Sequence, residues 1–170
     1  GKAVRFAEDE VRPLGRQARG VRGMALEEGQ RVIAMLVAED ETQSVLTATE
    51  NGYGKRTSIV EYTRHGRGTK GMIAIQQSER NGKVVAATLV RANDEIMLIT
   101  DKGVLVRTRV SEIRELGRAT QGVTLIALDN GAKLSGLQRI VENDTPSEPD
   151  TDASTDDTQD SAGTPDTEGK

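Results

Sequence analysis

The stretch RHGRGTKGMIAI, from Arg64 to Ile75, sets Arg64, Arg67 and Lys70 among Gly66, Gly68 and Gly71, just ahead of an apolar run. Cations interleaved with glycine suit phosphate. Glycine lets the backbone come close, and backbone N–H groups then join the cations around the phosphate oxygens. A nucleotide P-loop is excluded by spacing, since it needs four residues between its first glycine and a Gly-Lys-Ser/Thr triplet. Here Lys70 precedes Gly71 and Met72 follows, so no hydroxyl stands where magnesium would need one.

Other chemistry is sparse. His65 is the lone histidine and no cysteine exists, which leaves no zinc set, no thiol nucleophile and no disulfide. The carboxylates of Glu8–Asp9–Glu10, Glu27–Glu28 and Glu39–Asp40–Glu41 are adjacent pairs and triplets in polar stretches. Metal-assisted or glycosidase chemistry wants separated, convergent pairs instead. No catalytic residue, metal site or cofactor is therefore expected in the chain. Tyr53, Tyr62 and Phe6 are its only aromatic residues, too few for a single-strand stacking platform.

Charge is divided along the chain. The formal net charge is -4, but residues 1–141 carry 22 Lys or Arg against 17 Asp or Glu, and 16 of those bases are arginine. Residues 142–170 hold ten acids and one lysine with almost no large apolar side chains, and read as a disordered acidic tail. An arginine-rich body suits phosphate contact. No apolar run approaches the 18 residues of a membrane span and no leader is visible, so no membrane association is expected. The lack of cysteine fits a reducing cytoplasm.

The elements that position these bases repeat. GKAVRF begins at Gly1, GYGKRT at Gly52 and GVLVRT at Gly103, an interval of 51 residues both times, which makes Arg5, Arg56 and Arg107 equivalent. RGVRGMAL from Arg19, RGTKGMIAI from Arg67 and RATQGVTLI from Arg118 align as a second landmark. That alignment equates Gly23, Gly71 and Gly122 as structural glycines and implies a three-residue insertion in the first copy. RVIAMLV (31–37), KVVAATLV (83–90) and KLSGLQRIV (133–141) form a third block, and SVLTAT (44–49) and EIMLIT (95–100) a fourth. Each block is short and β-branched and is punctuated by Asn-Gly or Asp-Lys-Gly hairpin signals.

The expectation is an all-β, propeller-like array of four-stranded antiparallel blades, with about three present and the first truncated. The pieces are a partial blade at 1–41 and blades at 42–92 and 93–141. Residues 1–37 lack the opening strand, so the chain is expected to begin inside a blade, with unpaired backbone near Gly1 and too few blades to close a ring. Alternation places Leu105, Arg107 and Arg109 on one side of their strand, with Leu105 buried and both arginines near solvent. The expected nucleic-acid-contacting bases are Arg5, Arg16, Arg19, Arg22, Lys55, Arg56, Arg64, Arg67, Lys70, Arg107, Arg109 and Arg118. They weaken toward the third repeat, where Gln121 stands in place of Lys70. With no base-reading motif, duplex DNA gripped by its backbone fits best.

ENGYGKRTSIVEY with RGTKGMIAI, then ITDKGVLVRTRVSEI with GRATQGV, closely resembles the C-terminal domain of bacterial DNA gyrase A, over residues 1–141. The resemblance implies a β-pinwheel whose blades exchange strands and whose basic rim wraps duplex DNA, so that an ATP-dependent type IIA topoisomerase introduces negative supercoils. It implies that the cleavage tyrosine, the Mg2+ site and the ATPase site lie elsewhere in an A2B2 holoenzyme with DNA gyrase B, in the bacterial cytoplasm and associated with the nucleoid. Tyr53 and Tyr62 have no cleavage role. The family's Gln-Arg-Arg-Gly-Gly-Lys-Gly box is absent, and RHGRGTKG is a degenerate relative of it. The alternatives are the C-terminal domain of the topoisomerase IV paralogue, a decatenase, and a protein-interaction propeller fragment.

Overall fold

The computed structural model describes residues 1–141; the acidic tail at 142–170 lies outside the described residues. Over the described residues the fold is all-β, with nine strands in several antiparallel sheets: β1 (Lys2–Ala3), β2 (Ser44–Thr49), β3 (Tyr53–Ser58), β4 (Met72–Ile73), β5 (Val84–Val90), β6 (Glu95–Thr100), β7 (Leu105–Arg109), β8 (Val123–Thr124) and β9 (Leu134–Ile140). The hairpin signals do as their chemistry suggests. β2 turns into β3 across Glu50–Gly52 and β6 into β7 across Asp101–Val104, with Gly52 and Gly103 at positive φ.

The sheets run β5-β2-β3-β8, β7-β6-β9 and β1-β4. A repeat therefore does not close on itself. β3 of the second repeat takes its outer neighbour, β8, from the third, and β1 of the first takes β4 from the second. The backbone bonds copy themselves at the 51-residue interval. His65 N–H donates to the Arg5 carbonyl and Leu116 N–H to that of Arg56, while Ala74 donates to Gly1 and Leu125 to Gly52. Gly1 is thus engaged, and its ammonium also donates to the Ile75 carbonyl at 3.2 Å, contrary to the unpaired backbone expected there.

The unpaired segment is 31–37. Its equivalents, β5 and β9, each pair with the opening strand of their own repeat, β2 or β6. Residues 1–37 supply no such strand. Their apolar block therefore has no ladder and forms no strand, and Val32, Met35 and Val37 are exposed, Met35 at 87%.

β2 carries no charge and is buried along its whole length between β3 and β5. Two apolar clusters result. Leu46, Val90, Ile96, Leu98, Val110 and Leu134 join the second repeat to the third. Val45, Ile59, Tyr62, Ala74 and Leu89 lie beneath the first, with Ala3 packed against them. Burying each large aliphatic side chain is worth about 1.5–3 kcal/mol. Leu105, expected inside, is 60% exposed, because β7 is an edge strand and offers only Val106 and Thr108 inward.

Candidate nucleic-acid interface

The recurring arginines divide into two kinds once their partners are known. Arg5 lies just after β1 and Arg56 within β3, and both reach forward into the next repeat. Arg5 donates from one terminal nitrogen to the carbonyls of Ile59 (2.9 Å) and Tyr62 (3.2 Å), and from the other to the Glu41 carboxylate at 3.1 Å. Arg56 Nε donates to the Ile113 carbonyl at 2.8 Å. Arg67 and Arg118 reach backward. Arg67 donates to the carbonyls of Glu10 (3.0 Å) and Arg22 (3.2 Å), and Arg118 to those of Glu61 (2.9 Å) and Ile73 (2.8 Å). Each junction is therefore spanned twice by guanidinium groups from opposite sides. Arg67 and Arg118 stay half-exposed and keep further N–H donors.

The loops that present these groups have a different register from the one the sequence suggests. Gly20, Gly71 and Gly122, spaced by 51, all have positive φ (83°, 75° and 84°), whereas Gly23 does not. A Cβ on Gly71 would stand 2.5 Å from the Ala3 carbonyl oxygen, and one on Gly122 the same distance from that of Gly54. Nothing lies within 4 Å of a Cβ on Gly23. The equivalent position is Gly20, and the shared pattern is Gly-Arg-x-x-x-Gly at 15–20, 66–71 and 117–122, without the three-residue insertion. Arg16, Arg67 and Arg118 are then the true equivalents. Three local identities around Gly23 outweigh the constant interval when sequence alone is compared.

Lys55 is the second correction. Its sequence position groups it with the DNA-facing bases, but the structure leaves it 0% exposed. Its place in β3 points it under the third repeat, where the ammonium donates to the Gly117 carbonyl at 2.6 Å, to that of Arg118, and to the carbonyl and hydroxyl oxygens of Thr120. Burial pulls its pKa from 10.5 down to about 8, with the Arg118 charge acting the same way and Glu61 opposing.

Arg16, Arg19, Arg22, Arg64, Lys70, Arg107 and Arg109 are exposed. The side chains of Arg16, Arg19, Arg22 and Arg64 have no partner among the described residues. Lys70 pairs with Glu27 at 3.3 Å, both well exposed. Arg107 and Arg109 both pair with Glu95 on the neighbouring strand β6. Such exposed pairs are worth about 0–1 kcal/mol and yield readily to a competing anion. Arg12 and Arg114, two intervals apart and both exposed, escape the sequence reading. Counting the interval back from Arg114 would have found the pair. His65 is exposed on the same loop. No cluster of metal-ligating side chains occurs among the described residues, and no helix there is long and apolar enough to cross a membrane.

The family described as DNA gyrase C-terminal domain, beta-propeller matches residues 1–39, 43–91 and 94–140. DNA gyrase A of Pseudomonas aeruginosa is 54% identical over 142 residues, covering 84% of this chain and 15% of the relative. The Escherichia coli protein of that name is 52% identical, covering 84% and 16%. This chain thus spans about one-sixth of the length of these relatives. A solved DNA gyrase A C-terminal domain superposes with a TM-score of 0.76 at 30% identity, covering 83% of this chain and 48% of that one. The C-terminal domain of a DNA topoisomerase IV superposes at 0.77 with 24% identity, covering 82% and 44%. At that identity the likeness concerns the fold.

Proposed function

The chain belongs to the DNA gyrase C-terminal domain family, and on that premise we propose that it binds and wraps duplex DNA through phosphate contacts on a basic surface. The wrapped segment is presented for strand passage, so that the ATP-dependent type IIA topoisomerase introduces negative supercoils. The chain supplies no catalytic group. ATP and Mg2+ are used elsewhere, by an A2B2 assembly with DNA gyrase B in the bacterial cytoplasm, where the enzyme works on the nucleoid. Its repeats act as blades of a β-pinwheel, bounded at 1–41, 42–92 and 93–141, with four-stranded blades completed by exchange between neighbours.

The observation that carries this reading is the row of exposed bases without firm internal partners on equivalent loops: Arg12, Arg16, Arg19 and Arg22 in the first repeat, Arg64 and Lys70 in the second, Arg114 in the third. Arg67 and Arg118 add their remaining N–H groups. Arg107 and Arg109 exchange Glu95 for phosphate, while Arg5 and Arg56 act from behind by holding the blades in register. Phosphate contacts of this type give affinity without base preference.

Binding isotherms on unrelated duplexes of equal length, at several salt concentrations, test the reading. Affinity should fall steeply with salt and barely change with sequence. Relaxed plasmid closed by ligase in the presence of the chain should show a shifted linking number if wrapping occurs. Salt-insensitive binding, or none, overturns the reading. The charge of residues 142–170 opposes DNA, and their removal strengthens binding.

A further inference from the structure

Beneath the loop of the third repeat, the repeat poorest in loop cations, lies a fully buried lysine of the second, Lys55, whose equivalents are Val4 in the first repeat and Val106 in the third. The Lys55 ammonium gathers the carbonyls of Gly117, Arg118 and Thr120, and the Thr120 hydroxyl braces the turn by donating to the Gly117 carbonyl at 2.9 Å. No peptide bond in the described chain is cis. In a planar trans peptide the C=O of one residue and the N–H of the next point in opposite directions. Three carbonyls drawn inward therefore turn the N–H groups of Arg118, Ala119 and Gln121 outward. None of the three donates to another group of the described chain.

The equivalent loop of the second repeat is built otherwise. There the Arg67 N–H donates to the Glu10 carboxylate at 3.1 Å, and the Gly68 N–H to the Gly23 carbonyl at 2.7 Å. Two of its three corresponding amides are in use, and it carries a side-chain charge on Lys70 where the third repeat has Gln121. We propose that Lys55 is a positioning residue for a phosphate site on the third repeat, holding the Gly117–Gln121 loop so that the amides of Arg118, Ala119 and Gln121 receive one backbone phosphate of duplex DNA. Outward backbone N–H groups above a buried cation form an anion-binding concavity that needs no exposed lysine. The site rests on the DNA-binding reading and refines it, since it replaces side-chain charge by backbone geometry where Gln121 stands.

The test is amide-resolved NMR of the 15N-labelled 170-residue chain titrated with a blunt 20-base-pair duplex, alongside binding isotherms over a range of salt. In the unaltered chain, the amides of Arg118, Ala119 and Gln121 shift on saturation. In Lys55→Met these three shifts vanish while those of Arg64 and Lys70 persist, and the log–log salt slope loses about 1 unit. Lys55→Gln, which keeps a donor without the charge, serves if the methionine variant does not fold. Shifts at Arg64 and Lys70 with none at the third loop in the unaltered chain overturn the site and leave DNA binding standing. Third-loop shifts that survive in a folded variant, with only its melting temperature lowered, reduce Lys55 to a structural residue and also overturn it. A chain in which no amide moves fails the DNA-binding reading itself.

Discussion

Arg56 and Arg64 stand on one repeat and differ in what their guanidinium groups touch. Arg56 gives Nε to the Ile113 carbonyl, whereas the exposed Arg64 side chain has no hydrogen-bond or ion-pair partner among the described residues. A charged donor to a partly buried carbonyl contributes about 1.5–3 kcal/mol. Arg56→Ala should therefore lower the denaturant midpoint, while Arg64→Ala should leave it unchanged and reduce the magnitude of the salt slope of DNA binding by about 1. Equal midpoints for the two variants would refute the inter-repeat tie. Gly71→Ala adds strain at positive φ and a Cβ 2.5 Å from the Ala3 oxygen. It should cost about 1–3 kcal/mol, and Gly23→Ala, with open space around it, should cost much less. Lys55 titrates at about 8 in the fold against 10.5 free. The unfolded chain thus binds more protons between those values, and this group makes stability rise with pH across that window. Denaturant midpoints from pH 8 to 10 for the parent and for Lys55→Met should diverge accordingly.

Among the elements, β5 and the 31–37 segment make the sharpest comparison. Both come from the same block of the repeat, yet only β5 has a ladder partner, β2. Backbone amides at 32–37 should exchange with solvent far faster than those at 85–90, a difference measurable by hydrogen exchange. Protection of 32–37 equal to that of β5 would contradict the missing-partner explanation. The linkers between repeats are held by charge. Arg91 donates to the Asp40 carboxylate at 2.7 Å and to Glu39 at 3.4 Å, and together with Thr42 it keeps the Asp40 carboxyl well below the ordinary carboxylate range. That support is complete above the ordinary carboxylate range and fades as acid protonates Asp40 in the fold.

For the whole molecule, strand exchange and reciprocal arginines make neighbouring repeats mutually dependent. A repeat deprived of its neighbour loses β8 from its sheet and its half of the arginine ties. Stability should therefore include a large nearest-neighbour term, as in repeat arrays. Leu98 lies in the cluster shared by the second and third repeats. Leu98→Ala should cost about 2–5 kcal/mol and melt both repeats together. Separate transitions in calorimetry would show them to be independent. DNA binding by such an array is spread over several loops, so single substitutions at exposed bases should each remove about one unit of salt slope and none should abolish binding.

The repeat interval, the strand blocks and the excess of arginine were legible in the chain, because periodicity and hairpin chemistry are local properties. The roles of the arginines were not. Arg56 and Arg64 are both arginines near glycines on a basic segment, and only the carbonyl of Ile113, 57 residues away, separates a clasp from a phosphate contact. Lys55 looks like any strand cation until a loop from the next repeat closes over it. Gly20 and Gly23 are indistinguishable by type, and backbone φ together with the close approach of a neighbouring strand decides which positions glycine must occupy. Sequence thus determined which residues recur and what they could bind. Tertiary structure determined which donors were already satisfied inside, because a hydrogen-bond donor serves a ligand only if no nearer acceptor of the fold has claimed it.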